Sequence, residues 1–174
     1  MLTYPLFQQA YFVNDVRKSA EEWHRLFGAG PFVVTEHHQT QSFTYRGTDV
    51  EADVSYAFGY LGDMMIQFIQ QHDDKPSIYR DMYGPGEEGF HHIAYLVDDW
   101  QAAKRRLEDL GFECACELYA RVEAAYYDTR AVTGGFTEIH MDPPHIVSTF
   151  ANWKRAHETM KPGDPAIMER PPIT

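Results

Sequence analysis

The chain has 174 residues, of which 44% are hydrophobic and 14% aromatic, and it carries a formal net charge of −11. That length supports one domain with a sizeable core, and that composition excludes a disordered chain. An acidic surface repels phosphate backbones and anionic lipid, no apolar run approaches the ~20 residues a bilayer span needs, and residues 1–7 lack a basic, apolar leader, so we expect a cytoplasmic protein with no nucleic-acid or membrane partner.

Phe7 to Val13 is a short apolar run with strand character. Asn14 or Asp15 can cap a helix whose buried face carries Val16, Ala20, Trp23 and Phe27, and Gly28 supplies its stop. Pro31 to Thr35 reads as a strand, as does Asp53 to Tyr60. A turn at Leu61, Gly62 and Asp63 leads into a partner strand, Met64 to Gln71. His72 to Gly89 is a polar connection rich in Gly and Pro, with one helical turn near Ser77 to Met82. Phe90 to Val97 is the next strand. Asp98 or Asp99 then caps a helix with Trp100, Ala103, Leu107 and Leu110 on one face, stopped by Gly111. Phe112 to Ala120 and Val122 to Arg130 read as strands, and Gly134 and Gly135 turn the chain into Phe136 to Met141. Pro143 and Pro144 end the unit, Ile146 to Met160 forms a last helix, and Pro162 to Thr174 is an extended, Pro-rich tail. Cys114 and Cys116 stand two apart, which in a strand sets both on one face, a poor geometry for a disulfide, so both are expected reduced.

The central observation is an internal repeat. A strand ending Val13-Asn14-Asp15 and a helix ending Leu26-Phe27-Gly28 are echoed by a strand ending Val97-Asp98-Asp99 and a helix ending Leu110-Gly111. Superposing them sets Gln8 on His92, Ala10 on Ala94 and Tyr11 on Tyr95. It also sets Met65-Ile66-Gln67-Phe68-Ile69 on Phe136-Thr137-Glu138-Ile139-His140. Four strands therefore carry a polar donor at equivalent places inside apolar stretches: Gln8, Gln67, His92 and Glu138. Unpaired buried polar groups are costly. If the halves are related by a rough twofold, one divalent ion satisfies all four at once. Nitrogen and oxygen donors with one carboxylate suit Zn, Ni, Co, Mn or Mg. Taken one at a time, a Gln in a strand is usually solvated and a His on an apolar face usually a satisfied core residue; the repeat is what joins them. His37 and His38 could line a pocket or lie on the surface, His72 falls in a polar loop, and His91 falls on the strand face opposite His92.

These residues resemble the vicinal oxygen chelate superfamily, which includes glyoxalase I, methylmalonyl-CoA epimerase, extradiol dioxygenases and antibiotic-resistance proteins. The likeness runs from about Phe7 to Pro144, and Phe90-His91-His92-Ile93-Ala94 through Val97-Asp98-Asp99 looks most like the epimerase. It implies an α+β fold of two βαβββ modules forming a cupped mixed sheet with flanking helices. One such domain would occupy residues 1–146, with modules at about 5–71 and 90–144 joined by a linker at about 72–89, and a helix and tail would follow at 147–174. It implies metal ligands at Gln8, Gln67, His92 and Glu138. Where the epimerase usually has His, this chain has Gln8, as some glyoxalase I enzymes do. That change breaks the two-His, one-carboxylate iron site of the dioxygenases.

The chemistry the resemblance implies is chelation of adjacent substrate oxygens by one divalent ion, which stabilises an enolate or oxyanion while a base moves a proton. The expected function is a metal-dependent, non-redox lyase, isomerase or epimerase acting on a small carbonyl or thioester, with Glu138 as the catalytic residue. Glu51, Asp53, His38, Tyr56, Tyr126 and Tyr127 are alternative bases. The alternative function is sequestration of a small hydrophobic molecule without turnover, in a pocket built from some of the 11 Tyr, 11 Phe and 7 Met residues. The resemblance and the extra C-terminal segment, with Phe150 and Trp153 on its apolar face, suggest a homodimer.

Overall fold

The apolar runs and turn residues resolve, in a computed structural model that describes residues 3–168, into eleven strands and four helices among the described residues. In chain order these are β1 (Leu6–Phe12), α1 (Val16–Phe27), β2 (Phe32–Thr35), β3 (Ser42–Tyr45), β4 (Thr48–Asp49), β5 (Val54–Leu61) and β6 (Met64–Gln71). There follow β7 (Gly89–Val97), α2 (Trp100–Asp109), β8 (Cys114–Tyr119), β9 (Glu123–Tyr127), α3 (Arg130–Thr133), β10 (Phe136–Met141), α4 (Pro144–Thr159) and β11 (Ile167–Met168). The side chain of Asp15 accepts from the Arg17 and Lys18 amides to cap α1, and Gly28 stops it in the left-handed region at φ 70°. α1 buries Val16 and Ala20, whereas Phe27, expected inside, is 57% exposed at the last turn. Asp99 caps α2, which buries Ala103 and Leu107. No helix among the described residues is long and apolar enough to cross a membrane.

One mixed sheet has the order β11-β2-β5-β6-β1-β7-β10-β9-β8-β3-β4. The run β2-β5-β6-β1 is mirrored by β8-β9-β10-β7, so the two modules meet at an antiparallel β1–β7 seam within one chain. Register bears the repeat out residue by residue. Gln8 pairs with Met65 and Ala10 with Gln67; His92 pairs with Phe136 and Ala94 with Glu138. Across the seam Gln8 faces Ala94 and Ala10 faces His92, the reciprocal pairing a twofold demands.

The β3–β4 hairpin, where no strand was expected, shapes the molecule. β2 and β3 are separated by residues 36–41, yet β3 pairs with β8 (Phe43 with Leu118) and so lies eight strand positions from β2. Seven chain steps reach at most about 25 Å, whereas eight spacings across a flat sheet need about 38 Å. The sheet must therefore curl into a cup. Inside the cup lie Ala10, Phe12, Tyr56, Ile69, Tyr126 and Phe136, joined by Ile78 and Tyr79 from the connection expected to be a polar linker. Outside it, α1 packs on Ile66 and Phe68, and α2 on Ala125, Tyr127 and Ile139.

Two bulges change which way side chains face. In β8 the register shifts between Cys114 and Cys116, so Cys116 packs inside the cup and Cys114 under α2. The expected common face is absent, and both thiols are free. In β7 the partners of Ala10 and Tyr11 are His92 and Phe90, which leaves His91 as an inserted residue. A bulge of this kind re-aims side chains, and His91 and His92 both lie at 0% exposure with their Nδ1 atoms 2.8 Å apart, not on opposite faces as expected. Gly135 makes room for the bulge: a Cβ there would stand 2.5 Å from the His91 carbonyl oxygen. Gly135→Ala is expected to cost about 1–3 kcal/mol through overpacking. The check is a lower denaturant midpoint at unchanged slope; a parental midpoint would mean that the bulge yields freely.

α4 lies across the mouth of the cup. Phe150 stacks on Phe7 with centroids 5.8 Å apart, and Trp153 stacks on Phe58 at 5.5 Å. The apolar face that suggested a homodimer is thus turned onto its own sheet, and the expected dimer draws no support from it. Lys154 reaches Asp63 at 2.8 Å, and His157 Nδ1–H donates to the Gly30 carbonyl while its Nε2 accepts from the Gly62 amide. The expected extended tail instead adds β11 beside β2, paired Ile167 to Phe32; its last residues, 169–174, lie outside those described.

Candidate metal centre

Strand alternation brings Gln8, Gln67, His92 and Glu138 to the inner face of the cup, all at 4% exposure or less. Their donor atoms form one chain of contacts. The Gln8 Nε2–H donates to Gln67 Oε1 at 2.6 Å, Gln8 Nε2 lies 3.3 Å from His92 Nε2, and His92 Nε2 lies 2.8 Å from Glu138 Oε2. All four residues predicted from sequence converge on one point between the two modules.

The protons of this cluster can be placed. His91 Nε2 faces the Ile78 carbonyl oxygen at 3.2 Å, an acceptor only, so this nitrogen carries the hydrogen. Burial, reinforced by the neighbouring His92, holds the His91 pKa well below its usual range, so the ring is neutral and its Nδ1 is an acceptor. His92 Nδ1 must then donate across their 2.8 Å contact. In this tautomer the free lone pair of His92 sits on Nε2, where the Gln8 amide can donate to it.

The contact with Glu138 is unusual: His92 Nε2 and Glu138 Oε2 stand 2.8 Å apart in a geometry that forms no hydrogen bond, and Glu138 Oε2 is buried with no hydrogen-bond partner. A buried carboxylate oxygen left this way is costly. A cation between the two atoms removes the cost, and a half-turn of the Gln8 amide presents its Oε1 as a fourth donor. The residues therefore fit a divalent ion of the N/O-preferring kind.

Above this floor is a cavity of about 150 Å³. Gln8, Gln67 and Glu138 line its base; Tyr56, Phe58, Leu118, Val122 and Tyr126 line its walls; Ile146, Phe150 and Trp153 of α4 form its outer side. The Tyr126 ring lies 5.1 Å from that of His92, and burial first, then Glu138, raises its pKa well above the ordinary phenol range, which keeps the hydroxyl a donor. Tyr56 also lines the cavity, but its hydroxyl is bonded to that of Tyr79 at 2.8 Å. Of the other sequence-predicted bases, Tyr127 lies on the α2 side, its hydroxyl donating to Glu108. His38, Glu51 and Asp53 border a separate open depression of about 720 Å³. There His37 Nδ1 meets Asp53 at 2.8 Å, and its ring lies 4.6 Å from His72, which contacts Ser55 Oγ through Nε2; none of these residues lines the cavity over Glu138.

Sequence reasoning missed His140. It lines the cavity, and its Nδ1–H donates to the Met141 carbonyl at 2.6 Å, which leaves Nε2 as an acceptor. It follows Glu138 by two residues in β10, so strand alternation was the signal that places both on one face.

The family model described as Glyoxalase/Bleomycin resistance protein/Dioxygenase superfamily matches residues 7–130. A comparison with curated proteins returned no match. Among solved structures, a methylmalonyl-CoA epimerase from Mycobacterium tuberculosis aligns with a TM-score of 0.55 at 16% identity, covering 85% of this chain and 96% of that one. A methylmalonyl-CoA epimerase in complex with methylmalonyl-CoA and NH4+ gives 0.56 at 16%, covering 81% and 96%. A hypothetical protein from Bacillus halodurans C-125 gives 0.55 at 15%, covering 81% and 96%. At these identities the structural likeness establishes the fold alone.

Proposed function

Because the chain belongs to the Glyoxalase/Bleomycin resistance protein/Dioxygenase superfamily, we propose that it is a metal-dependent, non-redox isomerase, epimerase or lyase that moves a proton beside a carbonyl or thioester. The observation that carries this reading is the buried approach of His92 Nε2 and Glu138 Oε2 at 2.8 Å with no hydrogen bond between them. Gln8, Gln67, His92 and Glu138 would hold one ion, Zn, Ni, Co, Mn or Mg. Bound there, it would supply Lewis-acid stabilisation of negative charge on the substrate oxygens. The solved complex of a similarly folded epimerase with methylmalonyl-CoA supports the reaction class.

The chain's own residues do the remaining work. Glu138 and His140 are the proton acceptors that line the cavity, and His140 Nε2 is the one whose lone pair is not committed to the ion. Tyr126, held as a neutral phenol, donates a hydrogen bond toward oxygen charge developing beside Glu138. α4 contributes Ile146, Phe150 and Trp153, which give the outer side of the site an apolar surface.

The aromatic walls favour a second reading, sequestration of a hydrophobic molecule without turnover. Calorimetric titration separates the two. Protein purified without chelator is expected to bind one divalent ion per chain and, when loaded, to exchange the α-proton of carbonyl compounds for deuterium in D2O. Failure to bind any divalent ion at millimolar concentration would remove the enzyme reading and leave sequestration.

A further inference from the structure

The cavity over Glu138 is small and its walls are of one kind. Its volume of about 150 Å³ is roughly that of an apolar cavity which takes up a single benzene ring. Its polar groups lie on the floor and at His140. Away from them the surface is Phe58, Leu118, Val122, Ile146, Phe150 and Trp153. No Lys or Arg lines it among the described residues. Of the basic residues nearest in sequence, Lys154 is paired with Asp63 and Glu158, and Arg121 is an exposed residue of the β8–β9 turn. A charge held against these walls would be desolvated without a partner, which is costly.

The outer side of the cavity is aromatic and is joined to the sheet. Phe150 stands between two aromatic neighbours, Phe7 at 5.8 Å and Trp153 at 5.4 Å. The helix that carries it is tied to the sheet by Lys154 and by His157, which bridges Gly30 and Gly62. These contacts, His157 foremost, set where Phe150 stands over the floor.

We propose that the substrate is a compact molecule with two adjacent oxygens and an uncharged, apolar body about one six-membered ring in bulk, and that Phe150 sets its upper size. This rests on the function proposed above for the orientation of the oxygens, and on the cavity alone for the body. The substrate class it selects is a small cyclic or short-chain hydroxycarbonyl or diol, and it selects against any molecule whose body bears a carboxylate or phosphate.

Three probes share one pair of oxygens and differ only in the body: catechol, 3,4-dihydroxybenzoate and 2,3-dihydroxynaphthalene. Their binding is read by calorimetry and by quenching of Trp153, with Trp153→Phe identifying the signal. Catechol is expected to bind the ion-loaded full chain at least about tenfold tighter than either of the others, the charged body failing by desolvation and the larger one by size. Phe150→Ala is expected to improve the naphthalene at least about tenfold and to leave the benzoate weak. Equal affinity for catechol and the benzoate, or for catechol and the naphthalene, in the parent protein overturns the proposal without any variant. The same series without added ion isolates the parts: if the parent binds no ion yet still prefers catechol, the function reading fails and the body selection stands; if it binds the ion and shows no preference, the reverse holds.

Discussion

Glu138→Gln is expected to weaken divalent-ion binding by roughly a hundred- to a few-thousandfold. Glu138 is the single anionic member of the four, it is 4% exposed, and its Oε2 has no other partner. Removing one member of a buried charge pair costs about 3–5 kcal/mol, and each 1.4 kcal/mol is about tenfold in affinity. Gln8→Ala should cost about tenfold or less, because a neutral amide makes the weaker bond and water can take its place. The ion-free proteins should rank the other way. The amide that Glu138→Gln introduces can donate to His92 Nε2, which the parental carboxylate cannot, so the variant without ion should be more stable by about 1 kcal/mol. Affinity lost with stability gained is the mark of a group kept for function. Calorimetric titration of both variants, with denaturant midpoints in chelator, checks the pair of signs. A Glu138→Gln protein that holds the ion like the parent while Gln8→Ala loses it would mean the site is wrongly assigned.

What the sequence made legible was whatever the repeat duplicates. Gln67 and Glu138 occupy equivalent register positions, Ala10↔Gln67 and Ala94↔Glu138, so aligning the two halves was enough to place them on one face. What it hid has no counterpart in the other half. His140 superposes on Ile69, so the repeat gave no reason to select it, although alternation from Glu138 does. The bulges at His91 and between Cys114 and Cys116 each insert a residue, and a period-two reading then assigns the wrong face to one member of each pair. The β3–β4 hairpin is six residues of strand, four of them Ser, Thr or Asp, with too little apolar alternation to register. Its pairing with β8 depends on the closure of the cup, which is a property of the whole sheet and not of any local window.

His91→Phe is expected to weaken ion binding by about ten- to a hundredfold, the range found when a residue that orients a metal-bound His is lost. The effect runs through a proton. In the parent, the Ile78 carbonyl takes the hydrogen of His91 Nε2, and His91 Nδ1 takes that of His92 Nδ1, so His92 turns a lone pair toward Glu138. A phenyl ring can keep the contacts His91 makes with Tyr79 and Phe136, at 5.1 and 5.2 Å, but it accepts nothing from His92. The hydrogen of His92 then gains by moving to Nε2, where a turn of the ring brings it onto Glu138 Oε2, 2.8 Å away. That hydrogen occupies the place between the two atoms where the ion must sit. Long-range ¹H–¹⁵N spectra of the ion-free proteins read the tautomer directly: protonated Nδ1 on His92 in the parent, protonated Nε2 in the variant. A loss of packing alone would lower the unfolding midpoint and leave the His92 tautomer as it was. If the variant keeps Nδ1–H and parental affinity, His91 is a core residue and the relay from Ile78 to the ion does not exist.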